Sequence, residues 1–168
     1  MKQEFETKLA EKYPFMRRMK SIDEQKLETG YVYNTFWAYG YEHGSGWYEL
    51  LCAMCEEIVE AYRRENEPLD IVVEQVKEKF GSLRFYYSVA GINRHYHAID
   101  CLGQGGFRIS PVRKPVHREV AHIVQRYEQK SKTICEKCGK PGLLRSDLRW
   151  VMTLCDDCYK QHPHSKKG

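Results

Sequence analysis

The sequence has no long apolar run. Nothing in its 168 residues approaches the roughly 18 consecutive apolar residues of a membrane-spanning helix, so no membrane partner is expected. Its start, Met-Lys-Gln-Glu-Phe-Glu-Thr-Lys, lacks the apolar stretch of an export signal. A strong charge of either sign is also missing. The formal net charge of +4 is too mild to mark a nucleic-acid binder by itself. Catalytic signatures are lacking too: there is no nucleophile elbow, no P-loop and no His-Glu-x-x-His. Gly103-Gln-Gly-Gly-Phe107 has neither the glycine register nor the Lys-Ser/Thr ending of a phosphate loop. His43, Glu56 and Glu57 can be assembled on paper into an acid–base set, but nothing in their spacing requires it. No catalytic residue is assigned, and a non-enzymatic role is favoured.

What is present is cysteine in pairs. Cys135-Glu-Lys-Cys138 is followed, sixteen residues on, by Cys155-Asp-Asp-Cys158. Two Cys-x-x-Cys knuckles at this separation suit a tetrahedral four-thiolate site. Gly139 directly after the first knuckle supplies the positive φ that turns backbone amides toward the sulfurs. Between the knuckles, Pro141-Gly142 reads as a turn, Leu143 to Arg145 as a strand, and Arg149 to Leu154 as its partner. That is the plan of a zinc ribbon with one structural Zn2+ held by Cys135, Cys138, Cys155 and Cys158. Four thiolates leave no open position for a water, so such a site shapes the fold and does not catalyse. Seven cysteines without an export signal place the chain in a reducing compartment, the cytoplasm.

Upstream, residues 2 to 12 read as an amphipathic helix carrying Phe5 and Leu9 and stopped by Pro14. Residues 31 to 48 are dense in aromatics and punctuated by Gly40, Gly44 and Gly46. They read as a strand and turn packing rings into the core, with a base-stacking platform as the alternative. Residues 46 to 64 form the strongest helix, with Ser45 as its N-cap and a stripe through Trp47, Leu50, Leu51, Met54, Ile58, Ala61 and Tyr62. Cys52 and Cys55 make a third Cys-x-x-Cys there. A redox or second metal site competes with simple packing, and the mid-helix position favours packing.

Residues 70 to 89 read as a β-hairpin with Gly81-Ser82 as a type II′ loop. That turn sets Lys79 opposite Arg84 and gathers Lys77, Lys79, Arg84 and Tyr86 on one face. Like charges facing each other call for an anion, either a phosphate or an acidic side chain of the protein itself. Residues 90 to 118 are rich in glycine and proline and biased toward Arg94, Arg108, Arg113, Lys114 and Arg118. Long basic loops in compact domains are often functional, though a solvated insertion fits equally well. His95 and His97 within it show no third ligand. Residues 116 to 131 form a second long helix. The ribbon that follows is close to neutral once four thiolates hold a zinc, and Lys137, Lys140, Arg145 and Arg149 make at most a modest patch.

The expected fold class is therefore α+β: helices packed on a β-hairpin or small antiparallel sheet, with a C-terminal zinc ribbon. The expected division is an α+β domain over residues 1–130, with the irregular basic insertion near 90–115, and a ribbon module over 131–168.

Several segments together resemble a family of small proteins found in bacteriophages and prophages. They are Glu11-Lys-Tyr13-Pro14, the Gly46-Trp47-Tyr48 that leads into a helix with Cys52 or Cys55, Gln75 to Tyr86, and Cys135 to Gly142 followed by Trp150 and Thr153-Leu-Cys155-Asp. The basic segment from Gly91 to Pro115 departs from that pattern. The resemblance implies a fold and a phage origin in a bacterial host cell, and no particular activity. Two roles are carried forward. One is nucleic-acid binding through Lys77, Lys79, Arg84 and Tyr86, the basic loop, Arg145 and Arg149. The other is an interaction factor that binds and inhibits or redirects a host protein.

Overall fold

The computed structural model describes residues 1–18, 34–90 and 114–163. In chain order these hold helix α1 (Gln3–Lys12), the short helix α2 (Thr35–Tyr39), strand β1 (Tyr41–Glu42), helix α3 (Tyr48–Arg64), strands β2 (Ile71–Lys79) and β3 (Ser82–Val89), helix α4 (Pro115–Ser131), strands β4 (Leu143–Arg145) and β5 (Met152–Leu154), and the short helix α5 (Asp156–Lys160). The class is α+β. No described helix is long and apolar enough to cross a membrane.

The helices follow their apolar stripes. In α3, Leu50, Leu51, Met54, Cys55, Ile58, Ala61 and Tyr62 are buried. In α4, Val116, Val120, Ile123, Val124 and Tyr127 face the same core. The two helices pack on each other, and α4 lies against β3. Arg126 and the Tyr127 hydroxyl both reach Glu57 across that seam, and Arg64 reaches Glu119. Ser45 does not cap α3 as expected. It opens a 3-10 turn over Ser45–Trp47, and its hydroxyl accepts the Lys2 amide at 2.9 Å. The aromatic stretch also differs from the expected strand. Thr35–Tyr39 is a helical turn capped by Asn34, and Phe36, Trp37, Tyr41 and Trp47 are buried in the core. Burial pushes the thiols of Cys52 and Cys55 up, which suits packing better than redox chemistry.

The larger sheet has the order β1-β2-β3, and it is mixed rather than purely antiparallel. Strand β1 runs parallel to β2, with Tyr41 beside Val76 and Glu42 beside Lys77. A two-residue strand carries too little pattern to be read from sequence. The hairpin loop starts one residue earlier than expected, which shifts the strand register by two residues. The loop is Phe80-Gly81, with φ of 53° and 73°, so it is a type I′ turn. Lys79 therefore faces Ser82, and it is Lys77 that faces Arg84. A bulge at Glu74 completes the correction. It switches parity, so that Ile71 and Val73 share the buried face with Val76 and Glu78. Glu74 is then the extra residue of the bulge, not a misplaced charge on the apolar face.

Strand β3 is an edge strand, and α4 covers it with polar side chains. Glu128 Oε1 accepts the Phe85 amide at 2.8 Å, and Ser131 Oγ accepts the Leu83 amide at 2.8 Å. Both acceptors are buried. Removing one leaves a buried amide without its partner, which costs about 1–3 kcal/mol. Glu128→Ala is therefore expected to lower unfolding free energy by about that amount in urea denaturation; a change near zero would show that water or another group takes the Phe85 amide.

Candidate metal centre

The ribbon folds as the spacing predicts at its strands. Leu143, Leu144 and Arg145 pair antiparallel with Leu154, Thr153 and Met152. Gly139 has φ of 79°. The first knuckle is closed by backbone bonds: the Gly139 amide donates to Cys135 O at 2.9 Å, and the Cys135 amide donates to Lys140 O at 2.7 Å. The second knuckle opens α5. There Cys155 Sγ accepts the Cys158 amide at 3.4 Å, which pulls the Cys155 thiol down to about 7.

The four sulfurs of Cys135, Cys138, Cys155 and Cys158 lie within 4.8 Å of one another. Cys138 Sγ and Cys155 Sγ are 3.6 Å apart. In a regular tetrahedron with metal–sulfur bonds of about 2.3 Å, the sulfurs stand about 3.8 Å apart. The set is too open for a disulfide and fits a tetrahedral ion. Its chemistry agrees. Burial pushes Cys138 and Cys158 up, so four crowded thiolates need a cation among them. The cluster could hold a metal ion, and its soft, closed donor set is structural in character.

The sequence carries one further zinc-related spacing, His117-Arg118-Glu119, the His-x-Glu of zinc deaminases. The structure does not bring it to the cysteines. His117 Nε2 lies 3.2 Å from Asp70 Oδ1, and Tyr62 donates to the same oxygen at 2.6 Å. His117 thus ties the start of α4 to the start of β2.

A contact not legible in the motif joins the centre to the core. A Cβ on Gly46 would stand 2.1 Å from Cys135 O and 2.7 Å from the Cys138 amide nitrogen. The Gly46 amide donates to Glu136 O at 2.7 Å, and the Gly44 amide donates to Glu136 Oε1 at 2.8 Å. Trp47 Nε1 donates to Ile134 O at 2.9 Å. Residues 44–47 are therefore strapped across the first knuckle. His43 precedes them, buried between Tyr41 and Trp47. Its Nδ1–H donates to Gly44 O at 2.7 Å, and its buried Nε2 has no partner among the described residues.

At the other side of the ribbon, the hairpin tip is clamped. The Gly81 amide donates to Glu78 Oε1 at 2.6 Å, and Trp150 Nε1 donates to Glu78 Oε2. Thr153 Oγ1 donates to Gly81 O at 2.6 Å.

The expected binding residues divide into groups. Lys77, Lys79, Arg84 and Tyr86 do share a face of the hairpin, half-buried. Lys77 Nζ lies 5.4 Å from the centre of the Tyr86 ring. Arg84 Nη1 donates to Ser82 Oγ at 2.5 Å. Glu42 joins this face and accepts from Gln75 Nε2 at 2.8 Å, so one acidic side chain stands beside the cations. Lys114 is elsewhere. It pairs with Glu67 and lies 3.9 Å from Asp70, at the far end of β2 and about 26 Å along the strand from Lys79. Arg145 is held within the ribbon by Asp156 and the Tyr159 ring. Arg149 is exposed beside Trp150. Arg94, Arg108, Arg113, His95 and His97 lie outside the described residues. Two exposed aromatics that were not among the expected binding residues, Phe80 and Trp150, flank the hairpin tip.

No family model, curated protein or solved structure matches the chain.

Two outcomes test this centre. Cys138→Ala is expected to abolish bound metal and to unfold β4, β5 and α5, because metal-binding energy is folding energy here; unchanged metal content with an unchanged melting curve would refute it. His43 gives a pH dependence. Burial lowers it from 6.5 to about 4, so the unfolded chain takes up a proton that the folded chain refuses. Its contribution is full above pH 6.5 and is lost as pH falls toward 4. The stability difference between wild type and His43→Asn should therefore fall over that window in pH-resolved denaturation, and a constant difference would contradict it.

Proposed function

We propose that this chain is a zinc-binding accessory protein of phage type that binds nucleic acid in the cytoplasm of a bacterial host. Zinc is the ion that four thiolates in a closed tetrahedral set suit best, and reduced cysteines at these distances fit a reducing compartment. The zinc is structural. It holds the two knuckles of the ribbon together beneath residues 44–47 and takes no part in chemistry.

The observation that carries the nucleic-acid reading is the hairpin face. Lys77 stands directly opposite Arg84, with Lys79 and Tyr86 beside them. Like charges across a strand pair destabilise a sheet by a few tenths to about 1 kcal/mol; Glu42 stands beside Lys77, and a phosphate backbone laid along the face supplies further negative charge to all three cations. The face is carried by a regular hairpin whose far side is core. Its cations are therefore positioned rather than free to scatter.

Lys77→Glu with Arg84→Glu is expected to reduce affinity for nucleic acid, and to lower the slope of log affinity against log salt by about 2, with bound zinc and thermal midpoint retained. Unchanged affinity and slope in the folded double variant would remove this face from the binding surface.

A second reading has its own support. Phe80, Leu144 and Trp150 are exposed apolar residues around the hairpin tip, and aromatic side chains are the usual anchors of a protein interface. In that reading the chain binds and inhibits or redirects a host protein, and its association survives nuclease treatment.

A further inference from the structure

Three exposed apolar side chains surround the hairpin tip: Phe80 at 49 %, Leu144 at 53 % and Trp150 at 65 % relative exposure. The bonds of the tip bring them together. Glu78 takes the Trp150 indole N–H on one oxygen and the Gly81 amide on the other. Leu144 Cδ1 lies 2.2 Å from where a Cβ on Gly81 would stand.

Two features of this tip are unexplained by folding. The first is Phe80, whose φ is 53°. A bulky residue seldom adopts this region, and a type I′ turn takes Asn there with little strain. With its ring half exposed, Phe80 gains little core burial to offset the strain. The second is Trp150. Its indole is fixed by a buried carboxylate, yet most of the ring is in solvent. A flat ring held still loses little freedom when another ring stacks on it.

Cations flank these rings. Lys79 Nζ lies 5.5 Å from the Phe80 ring centre, and exposed Arg149 precedes Trp150. Of the nearby acids, Glu78 is buried under the turn with its oxygens on the Gly81 amide and the Trp150 indole, and exposed Asp147 accepts from Tyr159. Aromatic faces flanked by cations complement a polyanion whose flat bases are open to contact. A duplex hides those base faces, whereas a single strand offers them.

We infer that Phe80 and Trp150 stack the bases of single-stranded nucleic acid while Lys79 and Arg149 hold its phosphates. The inference rests on the nucleic-acid reading above and narrows it to unpaired strands.

The test uses the full, metal-loaded chain, a labelled oligothymidylate and a duplex of equal length at one fixed salt concentration. Trp37 and Trp47 are buried, so Trp150 is the exposed indole among the three tryptophans. Oligothymidylate is expected to quench tryptophan emission and to bind about tenfold tighter than duplex. Phe80→Asn suits the turn and is expected to keep or raise the thermal midpoint, yet to weaken oligothymidylate about tenfold. Phe80→Tyr should restore binding. If single strand and duplex bind equally and Phe80→Asn changes neither, stacking is overturned while nucleic-acid binding stands. If neither oligonucleotide binds, the nucleic-acid reading falls and this inference with it. A nuclease-resistant host partner lost in Phe80→Asn would then assign the tip to protein docking.

Discussion

The backbone of Gly44–Gly46 lies against the first cysteine knuckle with no room for a side chain, and the rest of the structure depends on that contact. Gly46 would bring a Cβ within 2.1 Å of Cys135 O. Residue 47 then sends its indole N–H to Ile134 O, and α3, the central helix of the core, begins at the next residue. The knuckle's geometry is the geometry that a tetrahedral ion requires. Metal binding, the path of residues 44–47 and the start of the core helix are therefore one linked event, because each fixes backbone that the others touch.

Buried carboxylates do the remaining joining. Glu78, Glu128 and Glu136 are all buried, and each accepts a backbone amide: Glu78 that of Gly81 in its own turn, and Glu128 and Glu136 those of Phe85 and Gly44 in other segments. A carboxylate bond to a backbone amide is stronger than a neutral one, and leaving such a group unpaired in the interior is costly. Glu128 closes the open edge of β3, Glu78 clamps the hairpin tip to Trp150, and Glu136 binds the strap. Burial raises Glu136 to about 7, and its second oxygen has no partner among the described residues. The hairpin and the ribbon thus meet through directed polar bonds, between one large apolar core and a small one formed by Cys135, Leu148, Leu154 and Cys155.

Much of this was legible in the residues. The stripe of α3, the apolar face of α4, the two knuckles and the paired strands of the ribbon all follow from periodicity and spacing. The hairpin register was not. Gly81-Ser82 looks like a favourable loop, and nothing local indicates that Phe80 takes a positive φ. The burial of Glu78 and Glu128 was hidden because Trp150 and the Phe85 amide reach them from distant parts of the chain, so each reads locally as a charge out of place. The bulge at Glu74 was hidden because nothing local in the strand marks a break in its alternation. Gly44 and Gly46 read as punctuation, whereas their role is close approach to a knuckle about ninety residues away. Among the expected cations, the three on the hairpin, Lys77, Lys79 and Arg84, stay together with Tyr86 because alternation along a strand pair fixes a face. Lys114 and Arg145 were grouped with them by charge alone, and the structure gives each a local acidic partner.

The face that results combines cations on a regular hairpin with rings fixed at its tip by the ribbon. We propose that nucleic acid lies on this face. Photocrosslinking of the metal-loaded chain to a 4-thiothymidine oligonucleotide, with the crosslinked peptides mapped by mass spectrometry, addresses it most directly. The account predicts crosslinks in the peptides holding Lys77 to Tyr86 and Arg149 to Trp150, lost when metal is removed. Crosslinks confined to other segments, or none at all, would contradict it.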